Sequence, residues 1–403
     1  MISVNKAIKI ILNEVKNLPK EKILTEESLG RILSKNIYSK INNPPENVSS
    51  MDGYAVKHSN LKSLGKNPIK IIGESAAGKP FTKEIKNNEG IRIYTGATVP
   101  NKLNTILLQE RVIIKENYVI KTNQNYNVDQ YIRKKGFNFK NKDLLIKKNT
   151  LINSRILSLI ISANHKFVYV NKKPKIAILA TGNELQKTGK SIKNGIISSN
   201  SPLLSSILNS FGAETKDLGI AKDTKTSLKN KLNDINKYNI LITTGGASVG
   251  KHDLVKSVLM ELGMKLIFWK VAMRPGKPLI FGKLKNTLIL GFPGNPVSTF
   301  VSAVIFARPL IAKYLKYLHK QNTIKAILTK NLNSNDEREE YLRGKCYFKN
   351  NKYYVTPFNL QDSSLTLYLS QANSLIIRKP FDEKRNKGDK VSIIQFNDLN
   401  NNI

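Results

Sequence analysis

Residues 174–182 read PKIAILATG. An apolar run this short, opened by a proline and closed on Thr-Gly, suits a strand buried on both faces. Working downstream, residues 199–214 (SNSPLLSSILNSFGAE) then predict a helix, with Ser201 as cap and Pro202 at the first helical position. NILITTGG (239–246), HDLVKSVLMELG (252–263), NTLILGF (286–292) and PVSTFVSAVIFARPLIAKYL (296–315) continue the alternation. Strand and helix taking turns predict a mostly parallel sheet with helices on both faces, over residues 173–318.

Upstream the character differs. The N-terminus places Val4, Ile8, Ile11 and Val15 near helical spacing, and Thr25 ahead of Glu26-Glu27 predicts a second capped helix. From Pro44 to about residue 138, short β-rich runs (IKII, GIRIYTG, NTILLQE, RVIIK, YVIKT) alternate with Gly, Pro and Asn turns. INSRILSLIISANH (152–165) returns to a helical pattern. The expectation for 1–172 is therefore a helical lobe carrying a β-rich insertion at about 44–138. Residues 319–403 read as short strands, a small C-terminal β-domain. The fold class is α/β plus β, in several domains.

Composition narrows the function. With 403 residues and 40% hydrophobic content the chain can bury several cores. The single cysteine, Cys346, excludes an internal disulfide framework and a thiolate metal cage, and fits a reducing cytoplasm. The N-terminus lacks the uninterrupted apolar centre of a signal peptide, and no apolar run approaches the roughly 20 residues needed to span a bilayer. Sixty-six Lys+Arg against 29 Asp+Glu give a net charge of +37. The lysines are scattered, without a basic tract or aromatic-interleaved RNA motif. That argues for compositional bias over a nucleic-acid partner, while a positive surface still favours anionic substrates.

Three expected strand ends carry unusual loops: Thr181-Gly182-Asn183-Glu184; Thr244-Gly245-Gly246-Ala247-Ser248-Val249-Gly250, followed by Asp253; and Pro293-Gly294-Asn295-Pro296-Val297-Ser298. Ligands of such sheets bind beyond the carboxyl ends of the strands. Glycines there let backbone N–H groups approach an anion, and a following helix N-terminus favours negative charge. Any one loop is explained by tight turning alone, but three on one edge point to a phosphate or oxyanion site. None fits the P-loop pattern. Lys270, Arg274 and Lys277 put three cations within eight residues, stiffened by Pro275 and Pro278. A guanidinium fork and a point charge suit a tetrahedral oxyanion. Carboxylates are scarce, so the placement of Asp52, Glu184, Asp223 and Asp253 at loop positions is informative. Hard oxygen ligands shared with substrate phosphates suit Mg²⁺. The histidines show no zinc or triad spacing.

Taken in order, Ser50-Met51-Asp52-Gly53-Tyr54-Ala55-Val56, Thr95-Gly96-Ala97, Thr181-Gly182-Asn183-Glu184-Leu185, Gly245-Gly246-Ala247-Ser248-Val249-Gly250 with Asp253, Arg274-Pro275-Gly276-Lys277-Pro278 and Pro293-Gly294-Asn295-Pro296-Val297-Ser298 resemble the molybdopterin molybdenumtransferases. These are the MoeA-type enzymes, to which the enzymatic part of gephyrin also belongs. The resemblance covers about residues 1–395. It implies that adenylylated molybdopterin and molybdate bind, the dithiolene takes up the metal, and AMP leaves, with Mg²⁺ in support. It also implies an elongated homodimer with the site between subunits.

By position, the resemblance makes Asp52 the acid of the insertion step and Thr95 a substrate contact. Glu184, Asp223 and Asp253 become the acids near Mg²⁺ and phosphate, with Asp253 also catalytic. Gly245, Gly246, Ser248, Pro293 and Pro296 fall in the substrate loops. Lys270, Arg274, Lys277, Ser298, Arg343 and Ser363 form the molybdate and substrate-anion site. There are departures. Asn138 stands where many relatives carry Asp, Arg274 where Lys is common, and Asp362 precedes Ser363 where Gly is usual and would repel an oxyanion. The rival readings are a molybdopterin adenylyltransferase-like enzyme, a scaffold, and a basic nucleic-acid binder. The first would need neither the Asp52 lobe nor the last β-domain.

Overall fold

The computed structural model describes residues 1–189, 195–245, 254–317 and 323–396. The central sheet runs in the order Glu214–Ala221, Lys175–Thr181, Ile240–Thr244, Thr287–Phe292, Pro278–Leu284, Lys265–Lys270. The first four strands are mutually parallel and the last two are antiparallel. Alternate residues leave a strand on opposite faces, and each face has its own core. Ile176, Ile178, Ile240, Ile242, Leu288 and Leu290 pack on one side. Ala177, Leu179, Leu241 and Ile289 pack on the other. Double-sided burial is why these strands lack polar alternation.

The helix expected from Ser201 begins two residues earlier, at Asn200, with Ser199 in the cap position. Pro202 is thus third in the helix, still among the first residues whose N–H would have no helical partner. A rod starts at Pro296 as helix Pro296–Ser302, widens into a π turn over Ala303–Ala307, and continues as helix Arg308–Tyr314. At its far end the Leu315 carbonyl accepts from Asn171 Nδ2 at 2.6 Å. Contrary to the sequence reading, Pro296–Tyr314 is long and apolar enough by composition to cross a membrane. It is 83% buried inside the protein, as a core helix.

The N-terminal lobe corrects another expectation. Helix Val4–Asn13 forms, capped by Ser3, and buries Val4, Ala7 and Ile11. The helix predicted from Thr25 does not. Thr25–Glu27 is a single 3₁₀ turn, and Lys20–Leu24 is a strand paired antiparallel with Phe167–Asn171. Thr25 Oγ1 donates to the His165 carbonyl instead of capping a helix. Helix Ser154–Ser162 is capped by Asn153, whose side chain accepts from Ile156 N. The lobe is therefore mixed rather than helical.

The insertion is a six-stranded sheet in the order Thr105–Leu108, Gly53–Val56, Glu89–Ile93, Ile69–Ser75, Tyr118–Thr122, Val112–Lys115. It too has a core on each face, one around Ala55, Ile91 and Ile106 and one around Val56, Ile69 and Leu107. At the C-terminal end, Glu339–Lys349, Lys352–Pro357, Ile324–Leu328, Lys390–Gln395 and Ser374–Arg378 pair in that order. The last pairs back to the first, closing a small barrel. Met273–Arg274, from the central segment, adds alongside Glu339–Glu340 of this barrel.

Candidate functional site

The first parallel strand sends the chain outward to Glu214–Ala221, and the chain then returns to Ile240–Thr244 on the opposite side. That reversal opens a crevice beyond the carboxyl ends of Lys175–Thr181 and Ile240–Thr244. Backbone fills its floor. Gly245 has φ +85°, and a Cβ on it would lie 2.3 Å from the Thr181 carbonyl oxygen. A Cβ on Gly294 would sit 3.5 Å from the Gly245 Cα. Asn200 Nδ2 donates to the Gly294 carbonyl at 2.5 Å. The loops after Thr181, Thr244 and Phe292 thus meet main chain to main chain. Gly246, Ser248 and Asp253 lie outside the described residues.

Two expected carboxylates flank this floor. Asn183 N donates to Asp223 Oδ2 at 3.2 Å, and Asp223 N donates to Asn183 Oδ1 at 3.0 Å, a reciprocal tie between the two loops. Glu184 folds its carboxylate over Gly182, where a Cβ would meet the two oxygens at 2.5 and 2.6 Å. Both acids are exposed. Among the described residues no group of three or more His, Cys, Asp or Glu forms a metal cluster. Mg²⁺ commonly takes one or two carboxylates plus substrate phosphates and keeps water for the rest. Glu184 and Asp223 fit that donor set.

The third loop opens the rod. Pro296 takes the first helical position; Pro293 is buried, and its carbonyl accepts from Thr299 Oγ1 at 2.8 Å. Ser363, from the barrel, is brought here: its Oγ accepts from Asn295 Nδ2 at 2.7 Å, and its carbonyl accepts from Val297 N at 3.0 Å. Ser298, one residue on, is buried. Asp362 turns its carboxylate onto Ser364, accepting from N at 2.8 Å and Oγ at 2.5 Å. These bonds, with Arg343 nearby, hold its pKa below the usual carboxylate range.

Arg343 departs from its expected role as a substrate contact. The side chain is fully buried. Its Nη1 donates to the Leu365 carbonyl at 3.1 Å, and Nη2 donates to those of Leu360 and Asp362 at 3.1 and 2.9 Å. The guanidinium is occupied in shaping the loop that carries Ser363.

The other cations divide. Lys270 Nζ lies 3.9 Å from the centroid of the Trp269 ring, and both Lys270 and Lys277 are half-buried. Arg274 Nη2 donates to Asp336 Oδ2 at 3.4 Å, and Arg274 Nε lies 3.1 Å from Glu340 Oε1. Arg274, Lys330, Glu340, Phe358 and Gln361 line a cavity of about 440 Å³. Asp336 also pairs with Arg338, whose hydrogen bonds bring its pKa down to about 2. Sequence reasoning missed Asp336 and Glu340. Their signal was available: four acids within residues 336–340 of a strongly basic chain.

Asp52 sits in another module. Its Oδ1 accepts from Thr95 N at 2.7 Å and from Thr95 Oγ1 at 2.9 Å. These bonds lower its pKa, against a small opposing effect of burial. Gly53 next to it admits no side chain, since a Cβ would stand 1.9 Å from the Leu107 carbonyl oxygen. Gly96 takes φ +82°, which lets the Thr95 loop turn back. The two residues singled out forty-three positions apart therefore form one exposed unit.

Comparison with known proteins agrees across the chain. Family models match three consecutive stretches: the MoeA N-terminal region (domain I and II) over residues 2–164, a probable molybdopterin binding domain over 177–313, and the MoeA C-terminal region (domain IV) over 325–396. A molybdopterin molybdenumtransferase of Haemophilus influenzae is 33% identical over 380 residues, covering 93% of each chain. One of Staphylococcus aureus is 27% identical and covers 98% of this chain and 95% of its own. Two crystal structures of MoeA proteins from Pyrococcus horikoshii superpose with TM-scores of 0.85 and 0.80 at 26% and 24% identity. They cover 98% of this chain and 99% and 100% of theirs.

Proposed function

This chain belongs to the MoeA family of molybdopterin molybdenumtransferases, and from that premise we propose how its residues divide the work. The enzyme is a transferase of molybdenum cofactor biosynthesis. Its substrates, in this reading, are adenylylated molybdopterin and molybdate, its products the metallated pterin and AMP. The observation that carries the assignment is the backbone floor where Thr181, Gly245 and Gly294 meet. The two glycines let these loops close on one another at the carboxyl ends of the strands, where ligands of such sheets bind. The Asn183–Asp223 tie holds one wall of this crevice, and the Asn295–Ser363 bond holds the other.

Glu184 and Asp223 would hold Mg²⁺ together with the phosphates. When bound, the ion supplies positive charge against the phosphate oxygens. Lys270, Arg274 and Lys277 recognise molybdate by charge-assisted hydrogen bonds. Water attacks the adenylate phosphorus, the bond to the pterin phosphate breaks, and AMP departs. Asp52 is ionised at neutral pH, and its lowered pKa makes it a weak base. It therefore supplies negative charge and lone pairs beside the dithiolene rather than a stored proton. Thr95 keeps it so.

The insertion carrying Asp52 is built on its own two cores, separate from those beneath the crevice. A homodimer, with Asp52 of one copy facing the crevice of the other, is the arrangement that unites them. The setting is the reducing cytoplasm, where the lone Cys346 stays a thiol. The test is incubation with adenylylated molybdopterin, molybdate and Mg²⁺, following AMP and cofactor together. AMP release that needs molybdate supports the assignment; its absence under saturating substrates refutes it. For the dimer, mixing Asp52→Asn with Arg274→Ala at molybdate too dilute for either alone to turn over well should restore part of the activity. A stable, fully active monomer at micromolar concentration would count against it.

A further inference from the structure

We infer that Glu340 is a positioning residue for the oxyanion site: it holds the buried edge of Arg274 so that the outer fork of the guanidinium faces the substrate. The inference rests on the reading of Arg274 as a molybdate contact. Arg274 Nε is a buried donor, and no hydrogen bond aligned with its N–H forms among the described residues. The Glu340 carboxylate lies 3.1 Å away, off the N–H axis, and its side chain is only 12% exposed. The contact is an ion pair without an aligned hydrogen bond, and it sets the Glu340 carboxylate beside the buried N–H. Asp336 takes one Nη2 proton on the same edge, but it is shared with Arg338. Nη1 has no hydrogen-bond partner among the described residues, and Arg274 lines the 440 Å³ cavity. Two acids on the inner edge thus leave the outer edge open.

Backbone geometry reinforces the arrangement. Arg274 and Glu340 are register partners where Met273–Arg274 joins the barrel in parallel, and Glu339 N donates to the Ala272 carbonyl at 3.0 Å. The barrel therefore sets the height of the carboxylate relative to the arginine. Without that carboxylate, Nε must turn to solvent for a partner, and the fork turns with it. A glutamine keeps an oxygen of the same reach beside Nε, able to rotate toward the N–H, so reach and an available oxygen rather than net charge are what the position needs.

The test uses the full chain. Molybdate binding is measured directly by calorimetry, and AMP release is followed against molybdate concentration with the pterin saturating. Glu340→Ala should weaken molybdate binding about fivefold or more and raise its KM in parallel, with kcat at saturating molybdate nearly unchanged. Glu340→Gln should restore affinity to within about twofold of the parent. In an Arg274→Ala background, Glu340→Ala should add nothing. Unchanged or tighter molybdate binding in Glu340→Ala overturns the inference, tighter binding meaning that the carboxylate competes with the oxyanion. Should Glu340→Ala fail to fold, an affinity loss in Glu340→Gln as large as that in Arg274→Ala would overturn it instead. Arg274→Ala separates the two levels. If it leaves molybdate unaffected, the reading of Arg274 fails and the role of Glu340 falls with it. If it weakens molybdate while Glu340→Ala does not, only the positioning role fails.

Discussion

Asp52 and Arg343 carry charges in different modules, and their surroundings treat those charges in opposite ways. Asp52 is exposed and takes two hydrogen bonds from one residue, Thr95. The other carboxylate oxygen has no hydrogen-bond partner among the described residues. Arg343 is fully buried, with its donors turned on the carbonyls of Leu360, Asp362 and Leu365. By position the resemblance gives both a substrate-site role, yet Asp52 is exposed and Arg343 is enclosed. A charged residue in a motif can serve by touching the ligand or by shaping the loop that does. Burial and partners separate the two, and sequence position does not.

The sharpest way to break this contrast is to remove Arg343. Arg343→Ala strips three carbonyls of their donor and removes a fully buried side chain. A loss of about 3–5 kcal/mol of stability is expected, read as a lowered denaturation midpoint. A variant of parental stability that has merely lost substrate affinity would reverse the assignment. Asp52→Asn should do the opposite. Asn is a good turn residue and the site is exposed, so stability should change by less than about 0.5 kcal/mol. Insertion, however, should slow by about 100-fold or more. Near-normal turnover would reduce Asp52 to a turn former.

A smaller effect tests the cations that lie between these extremes. Arg274→Ala and Lys277→Ala should each raise the half-saturating molybdate about tenfold, a difference of about 1.4 kcal/mol. The adenylylated pterin should suffer less, because its rings and several phosphates dilute one lost contact. Equal weakening of both substrates would mean a diffuse electrostatic effect, which added salt would then erase.

The smallest effect concerns Asp336, with its pKa brought down to about 2 by Arg338. A depressed carboxyl pKa stabilises the fold above the ordinary value of 3.8, and the contribution fades as pH falls toward about 2. Asp336→Asn should therefore cost under about 1 kcal/mol at neutral pH. The gap from the parent should shrink between pH 3.8 and about 2. A gap that widens on acidification would show that some other group governs the acid limb.

Much of this was readable in advance, for identifiable reasons. The central strands announced themselves because burial on both faces demands unbroken apolar runs such as IAILA (176–180) and ILI (240–242). The Asp52–Thr95 unit was legible as two glycine-flanked motifs, although their contact was not. What stayed hidden depended on long-range pairing. Lys20–Leu24 became a strand because Phe167–Asn171, far along the chain, offers it a ladder. Thr25 lost its predicted helix because the His165 carbonyl claims its hydroxyl. Arg274 looked like a free cation until the barrel brought Glu340 beside it. Local pattern predicts local structure, and a partner more than a hundred residues away can override it.

The π turn over Ala303–Ala307 has a consequence for how the rod is keyed into the molecule. A wide turn of this kind accommodates one residue more than regular winding would. In an α-helix each residue advances the face by roughly 100°. The turn therefore acts as a phase corrector. Upstream, Val297 and Val301 keep the orientation the crevice loop needs; downstream, Leu310, Ile311 and Tyr314 keep the one the lobe needs. Winding all five residues of Ala303–Ala307 as regular α-helix would instead rotate the two ends against each other by roughly that angle. Either the Pro-Gly-Asn-Pro end or the end at Leu315 would then miss its seat. The rod is thus cut to a length and an angle together, like a shaft whose two keyways must match.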